Sequence, residues 1–235
     1  AHQLREARWF RDKGIAGEYL AFWMHPEAAA SPRSYTFGTA TAALDTAAVT
    51  GDRALLRRLH PALRRNYEQW RTSHLTPAGL FRQSDNRDGM ECSIGGSGYR
   101  VTINSCMAAE AGALAQLAAD CGETGEAARF HREAKRLRRL IETRLWNEKS
   151  RFFMTRREED DAFVDVRELH GYTPWYYFSG MARKFDIAWK QLTDPEGFLA
   201  PFGPTTAERR HHGFRLDRGG HECQWNGPSW PFATS

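Results

Sequence analysis

The sequence predicts an all-α fold, a toroid of helical hairpins, and three observations carry that expectation. A helix rich in small residues, a glycine-containing turn and a charged amphipathic helix follow one another over 35–73, and the same order returns over 103–146. Inner helices of a ring of hairpins touch neighbours on all sides while outer ones face water, so this alternation in composition is what a toroid requires. The connections between these hairpins are long and loaded with aromatics, glycine and proline, as in a binding face carried on a scaffold. On pattern alone, the alternative is a plain helical bundle.

Composition sets the outer bounds. The chain has 235 residues, 41% of them hydrophobic and 12% aromatic, which is enough to offset chain entropy and exclude intrinsic disorder. No run approaches the ~20 apolar residues of a membrane-spanning helix. The net charge is +4 and the pI about 9.0, but basic and acidic residues interleave along stretches such as 132–144. That pattern is a solvated helix face and not a nucleic-acid surface. Cys92, Cys106, Cys121 and Cys223 lack the close pairing of a zinc or redox motif and are expected to be free thiols. A first residue other than Met, and a final ATS just after Pro231 in a first-helical-turn setting, read as a fragment of a larger domain.

Taken in order, residues 4–24 carry Leu4, Trp9, Ile15, Tyr19, Leu20, Phe22 and Trp23 in a loosely helical pattern that His25-Pro26 closes. Residues 35–49 are Ala- and Thr-rich with few charges, as in a helix buried on most sides. Thr50-Gly51-Asp52 makes a turn with Asp52 as N-cap. Leu56, Leu59, Leu63, Tyr67 and Trp70 then recur at spacings of three and four over 53–73. Residues 75–102 form a long loop whose Leu80, Phe81, Met90, Ile94 and Tyr99 argue for order. A second small-residue helix is expected over 103–120, and an outer helix over 125–146 with Phe130, Leu137, Ile141, Leu145 and Trp146 inward. Beyond it, 168–178, 194–210 and 219–231 read as aromatic loops.

The densest chemistry lies in that first long loop, where Asp85, Asp88 and Glu91 stand beside Arg87 and Arg100. Glycoside cleavage needs one carboxylic acid at the leaving oxygen and one carboxylate across the sugar ring, with aromatic faces to pack on the sugar's C–H surface. The same residues also fit an Asp/Gly-rich turn with capping carboxylates, and the D-x-D-x-D-G calcium-loop pattern is not present. Trp175, Tyr176, Tyr177, Phe202, Trp225 and Trp230 are the candidate stacking rings. The adjacent His211 and His212 read as part of a charged, solvated loop rather than a metal centre. No P-loop or dinucleotide fingerprint occurs.

Four segments in this order, DNRDGMECSIGGSGYRVTINS, LHGYTPWYYF, GFLAPFGPTTAERR and CQWNGPSWPFATS, resemble the six-hairpin glycosidases of the mannosylglycerate hydrolase and glycoside hydrolase family 63 type. The resemblance runs from about residue 15 to the end. It implies a single (α/α)6 barrel domain over 1–235, incomplete at its C-terminus, that hydrolyses α-linked oligosaccharides or small glycosides with inversion. Gly89-Met90-Glu91-Cys92-Ser93 is similar to the family's Gly-Met-Asp-Asn-Ser motif. This implies Glu91 as general acid, with Glu for Asp, and Asp88 in reserve. Trp225-Asn226-Gly227-Pro228-Ser229-Trp230 is similar to a Trp-Arg-Gly-Pro-x-Trp segment that lines the sugar pocket, with Asn226 in place of Arg.

On the same basis Arg100, Asn104, Trp175, Trp225, Asn226 and Trp230 are expected to touch substrate, and the general base to lie beyond Ser235; Glu208 and Glu222 are more readily explained by salt bridging. No cofactor or metal is implied, and the expected partner is a carbohydrate, not nucleic acid or membrane. The rival expectation is a non-catalytic helical toroid that binds glycan or a protein partner.

Overall fold

The structure, a computed structural model, describes residues 2–25, 33–217 and 221–231. They divide into two compact units, Ala1–Gly79 with Cys106–Arg138, and Leu80–Ser105 with Arg139–Ser235. Eight α-helices and one two-stranded hairpin occur among the described residues, so the fold is mostly helical.

The first unit holds α1 (His2–Ala7), α2 (Gly14–Met24), α3 (Thr39–Thr50), α4 (Arg53–His74), most of α5 (Val101–Asp120) and most of α6 (Thr124–Leu140). The single helix expected over 4–24 is two. The Asp12 carboxylate accepts the Gly14 N–H at 2.9 Å and turns the chain between them. Leu4, Ala7, Ala16, Leu20 and Met24 are buried, whereas Trp9, Phe10, Ile15 and Phe22 are exposed. The expected cap of α4 is present: Asp52 Oδ1 accepts the Leu55 N–H at 2.9 Å, after Gly51 at φ 77°. Leu55, Leu56, Leu59, Leu63, Tyr67 and Trp70 of α4 are buried.

Helix α3 has no capping side chain of its own, because Gly38 stands at its N-cap. Glu110 of α5 supplies one across the unit. Its carboxylate accepts the N–H groups of Thr39, Ala40 and Thr41 at 3.1, 2.9 and 2.8 Å and the Thr39 hydroxyl at 3.2 Å. Burial pushes the Glu110 carboxyl above the ordinary range, against the pull of these donors.

The second unit is held by rings more than by helices. The outer helix expected to reach 146 ends at Leu140, widens into a π-turn over Ile141–Leu145, and leads into β1 (Trp146–Asn147), paired antiparallel with β2 (Phe152–Phe153). The hairpin exists because Asn147 Oδ1 accepts the N–H groups of Lys149 and Ser150 at 3.0 Å, closing a turn that returns two buried Phe beside Trp146. Around it pack Phe185, with centroids 4.8 Å from Trp146 and 5.0 Å from Phe153, and Tyr172, 5.0 Å from Phe152. Short helices α7 (Thr173–Tyr177) and α8 (Lys190–Thr193) and 3₁₀ turns at Asn86–Asp88, Leu169–Tyr172 and Arg183–Trp189 complete it.

Pro26, expected to close the first helical pattern, and the helix expected to continue from Pro231 fall on 26–32 and 232–235, outside the described residues. No described helix is long and apolar enough to cross a membrane.

Candidate active site

All the site residues expected from the sequence belong to the second unit. The acidic loop begins with a 3₁₀ turn at Asn86–Asp88, reverses at Gly89 with φ 70°, and carries Cys92 at φ 59°. A non-glycine residue in the left-handed region costs of order 1 kcal/mol or more and persists only where its surroundings enforce it. Here the enforcement is visible on both sides of Cys92. The Glu91 carbonyl accepts the Trp225 N–H at 2.9 Å, and the Gly95 N–H is held by Glu168 Oε1 at 2.9 Å.

Arg100 is the brace of this loop. Its side chain is 0% exposed, with Nε donating to Asp88 Oδ2 at 2.5 Å and Nη1 donating to Ser93 Oγ at 3.2 Å and to the Gly96 carbonyl. The Asp88 carboxylate is equally enclosed, accepts the Thr102 hydroxyl as well, and has Oδ1 without a hydrogen bond. Asn104 is also fully buried. Its amide takes the Phe81 N–H at 2.8 Å and donates to the Phe81 and Arg100 carbonyls at 2.9 and 2.8 Å, pairing with Phe81 as a neighbouring strand would. Arg100, Asn104 and Asp88 therefore hold the loop from within, and their side chains are closed to solvent.

Glu91 differs from Asp88 in each respect. It is half-buried, and its carboxylate makes no hydrogen bond or ion pair among the described residues. Trp225 and Trp230, both half-buried, stack at 5.1 Å and 29°, and the edge of Trp230 lies 3.1 Å from where a Cβ on Gly89 would be. The indole pair thus lies against the stretch that carries Glu91. Gly227 allows this placement, since a Cβ there would meet the Arg215 carbonyl oxygen at 1.9 Å. Asn226, between the rings, accepts from Gln224 Nε2 at 2.9 Å. Trp175 stands in the aromatic cluster, 5.5 Å from Phe153 and 5.1 Å from Trp189, and is also half-buried.

A buried pair that sequence reasoning passed over lies behind the loop. Glu168 and His170 are both almost fully buried, with Glu168 Oε2 3.7 Å from His170 Nδ1. Burial raises the Glu168 carboxyl, opposed by Arg100 and the Gly95 N–H. Burial, with Arg100 adding to it, keeps His170 well below the usual histidine range and neutral. The only signal in the sequence was two polar residues, in alternation with Leu169, opening an aromatic segment.

Other carboxylates and histidines of this unit stand outside the loop. Glu208 accepts from Arg167 N at 2.8 Å and Arg167 Nη1 at 2.6 Å and lies 3.3 Å from Arg210 Nε, while Glu222 is exposed. Asp165, His211 and His212 bring possible ligand atoms within 4.8 Å of one another. His211 Nδ1 accepts the Gly213 N–H at 2.9 Å, and Nε2 lies 3.2 Å from Asp165 Oδ1 without a hydrogen bond.

Comparison with known proteins gives the family of the chain. A family model described as the mannosylglycerate hydrolase MGH1-like glycoside hydrolase domain matches residues 1–235, and the chain belongs to that family. Among solved structures, a protein named as a sialidase is 36% identical with a TM-score of 0.92, over 99% of this chain and 22% of its own. The chain therefore spans under a quarter of that protein. A GH63 mannosylglycerate hydrolase from Thermus thermophilus, solved with glucose, shares the fold at a TM-score of 0.74 and 13% identity, over 98% of this chain and 75% of its own. A GH78 family rhamnosidase of Bacillus sp. GL1 reaches a TM-score of 0.55 at 20% identity, over 67% of this chain and 17% of its own. No curated protein sequence matches.

Proposed function

We propose that the chain lies within one (α/α)6 domain and acts as an inverting glycosidase on α-linked oligosaccharides or small glycosides, with Glu91 as general acid. The observation that carries this reading is the contrast between Glu91 and its neighbours. Asp85 and Glu91 are both half-buried, with carboxylates that make no hydrogen bond or ion pair among the described residues, while Asp88 is consumed by Arg100 and Thr102, and of the two it is Glu91 whose backbone binds Trp225 of the stacked indole pair. A general acid must reach the leaving oxygen, which suits a partly exposed carboxyl beside rings on which a sugar can stack. Family membership over the whole sequence supports both the reaction class and the single domain.

In this reading Trp225 and Trp230 form the platform for a sugar's C–H face, and Asn226 offers an amide to its hydroxyls. Trp175 is a further sugar contact. Arg100 and Asn104 act through the loop they hold and not on the sugar. The carboxylate that activates water is to be sought outside the described residues, because Glu208 is tied by two arginines.

The test is hydrolysis by wild type and Glu91→Gln on α-glucosides and α-mannosides, extended to rhamnosides and sialosides by the structural neighbours, with the product anomer followed by proton NMR. The expected result is an inverted anomer from the wild type and a loss of about 10²–10⁴-fold in the variant, with binding retained. Equal turnover in both proteins removes Glu91 from the reaction. Binding without turnover in either would favour the non-catalytic toroid.

A further inference from the structure

The first unit carries a group of ligating side chains that the glycosidase reading does not use. His60 of α4 is 2% exposed, and its Nε2 makes no hydrogen bond. The imidazole points at two carboxylates where α6 begins: Nδ1 is 3.8 Å from Glu123 Oε1, and Nε2 is 3.9 Å from Glu126 Oε2. One atom from each of the three residues lies within 4.8 Å of the other two. Buried polar atoms in native proteins are almost always satisfied, so an enclosed imidazole nitrogen facing a carboxylate beyond hydrogen-bond range needs a bridging partner.

We propose that His60, Glu123 and Glu126 bind a divalent transition ion, Zn²⁺ fitting best, which ties α4 to the start of α6. One imidazole nitrogen and two carboxylates suit zinc, and ligand distances near 2.0–2.2 Å require the three ligand atoms, now within 4.8 Å of one another, to draw together around the ion. Glu123, 46% exposed, leaves the outer side open to a water in the fourth position. The charge around the site is mixed. The groups facing the site are Arg64, whose Nη1 donates to Glu126 Oε1 and Oε2 at 3.1 and 3.0 Å, and Arg129, 3.4 Å from Glu126 Oε1 and shared with Glu68. Both lie on Glu126, and Glu123 has no arginine or lysine of its own among the described residues. The spacing has no sequence signature, because the histidine comes from a different hairpin than the Glu-x-x-Glu pair.

The experiment titrates Zn²⁺ by calorimetry, and Co²⁺ by its visible ligand-field absorption, into the full chain after chelator treatment. The expected result is one ion per chain, an affinity at least about 10-fold weaker in Glu123→Gln, and a tighter one in Arg64→Gln, which removes a competing cation. The exposed position of Glu123 makes that variant safe for folding, where His60→Ala is not. Zn²⁺ at about a hundred times its Kd should also raise Tm by roughly 5 °C. No saturable binding overturns the proposal, as does an affinity unchanged by Glu123→Gln or lost instead in His212→Ala.

Discussion

Replacing Arg100 with Met separates a brace from a sugar contact. The substitution keeps much of the apolar stem and removes a guanidinium that is 0% exposed and bonded to Asp88, Ser93 and Gly96. What remains is a carboxylate, also 0% exposed, with one oxygen already unpartnered and only the Thr102 hydroxyl as donor. Removing one member of a buried ion pair costs about 3–5 kcal/mol, because the survivor stays desolvated without its counter-charge. Urea unfolding, followed by far-UV circular dichroism and by tryptophan fluorescence, is expected to register that loss, the fluorescence moving first because Trp225 and Trp230 rest on the loop. Adding Asp88→Asn to Arg100→Met removes the stranded charge and should restore about 2 kcal/mol, a non-additivity that only directly coupled groups show. An Arg100→Met protein within about 0.5 kcal/mol of wild type, whose sole defect is a raised KM, would refute the brace and make Arg100 a substrate contact.

Two further outcomes follow from buried contacts elsewhere. Because burial raises the Glu110 carboxyl above its unfolded value, the folded state holds the proton more tightly, and stability falls as pH rises from the ordinary carboxylate range through the raised one. Glu110→Gln cannot titrate and should lack that slope in thermal melts between about pH 4 and 8; parallel slopes in the two proteins would refute the assignment. Gly227→Ala forces a methyl onto the Arg215 carbonyl oxygen, at 1.9 Å before relaxation, and should cost about 3 kcal/mol and displace the indole pair. A crystal structure or melt indistinguishable from wild type would show that the 225–230 segment moves freely.

Much of the helical scaffold was legible because its causes are local. Asp52 as N-cap, the apolar stripe of α4 and the small-residue faces of α3 and α5 follow from spacing and side-chain size. The break between α1 and α2 was missed because a single Asx contact at Asp12 overrode a loose periodicity. The hairpin at 146–153 was missed because two residues per strand are too few to show alternation, and what stabilises it is the ring cluster around it.

For the site, the sequence by itself determined the reagents: a carboxylate-rich loop, a Trp-Asn-Gly-Pro-Ser-Trp segment, and a family that joins them. Only the tertiary structure decided their division of labour. Asp88 and Glu91 are equal as letters, and which one is spent on a buried arginine and which stands free depends on an Arg100 twelve residues past the first. The burial of Glu168 and His170 behind the loop, and the convergence of His60 with Glu123 and Glu126, likewise depend on contacts between distant segments. Desolvation and pairing are properties of what surrounds a side chain, and the fold alone supplies those surroundings.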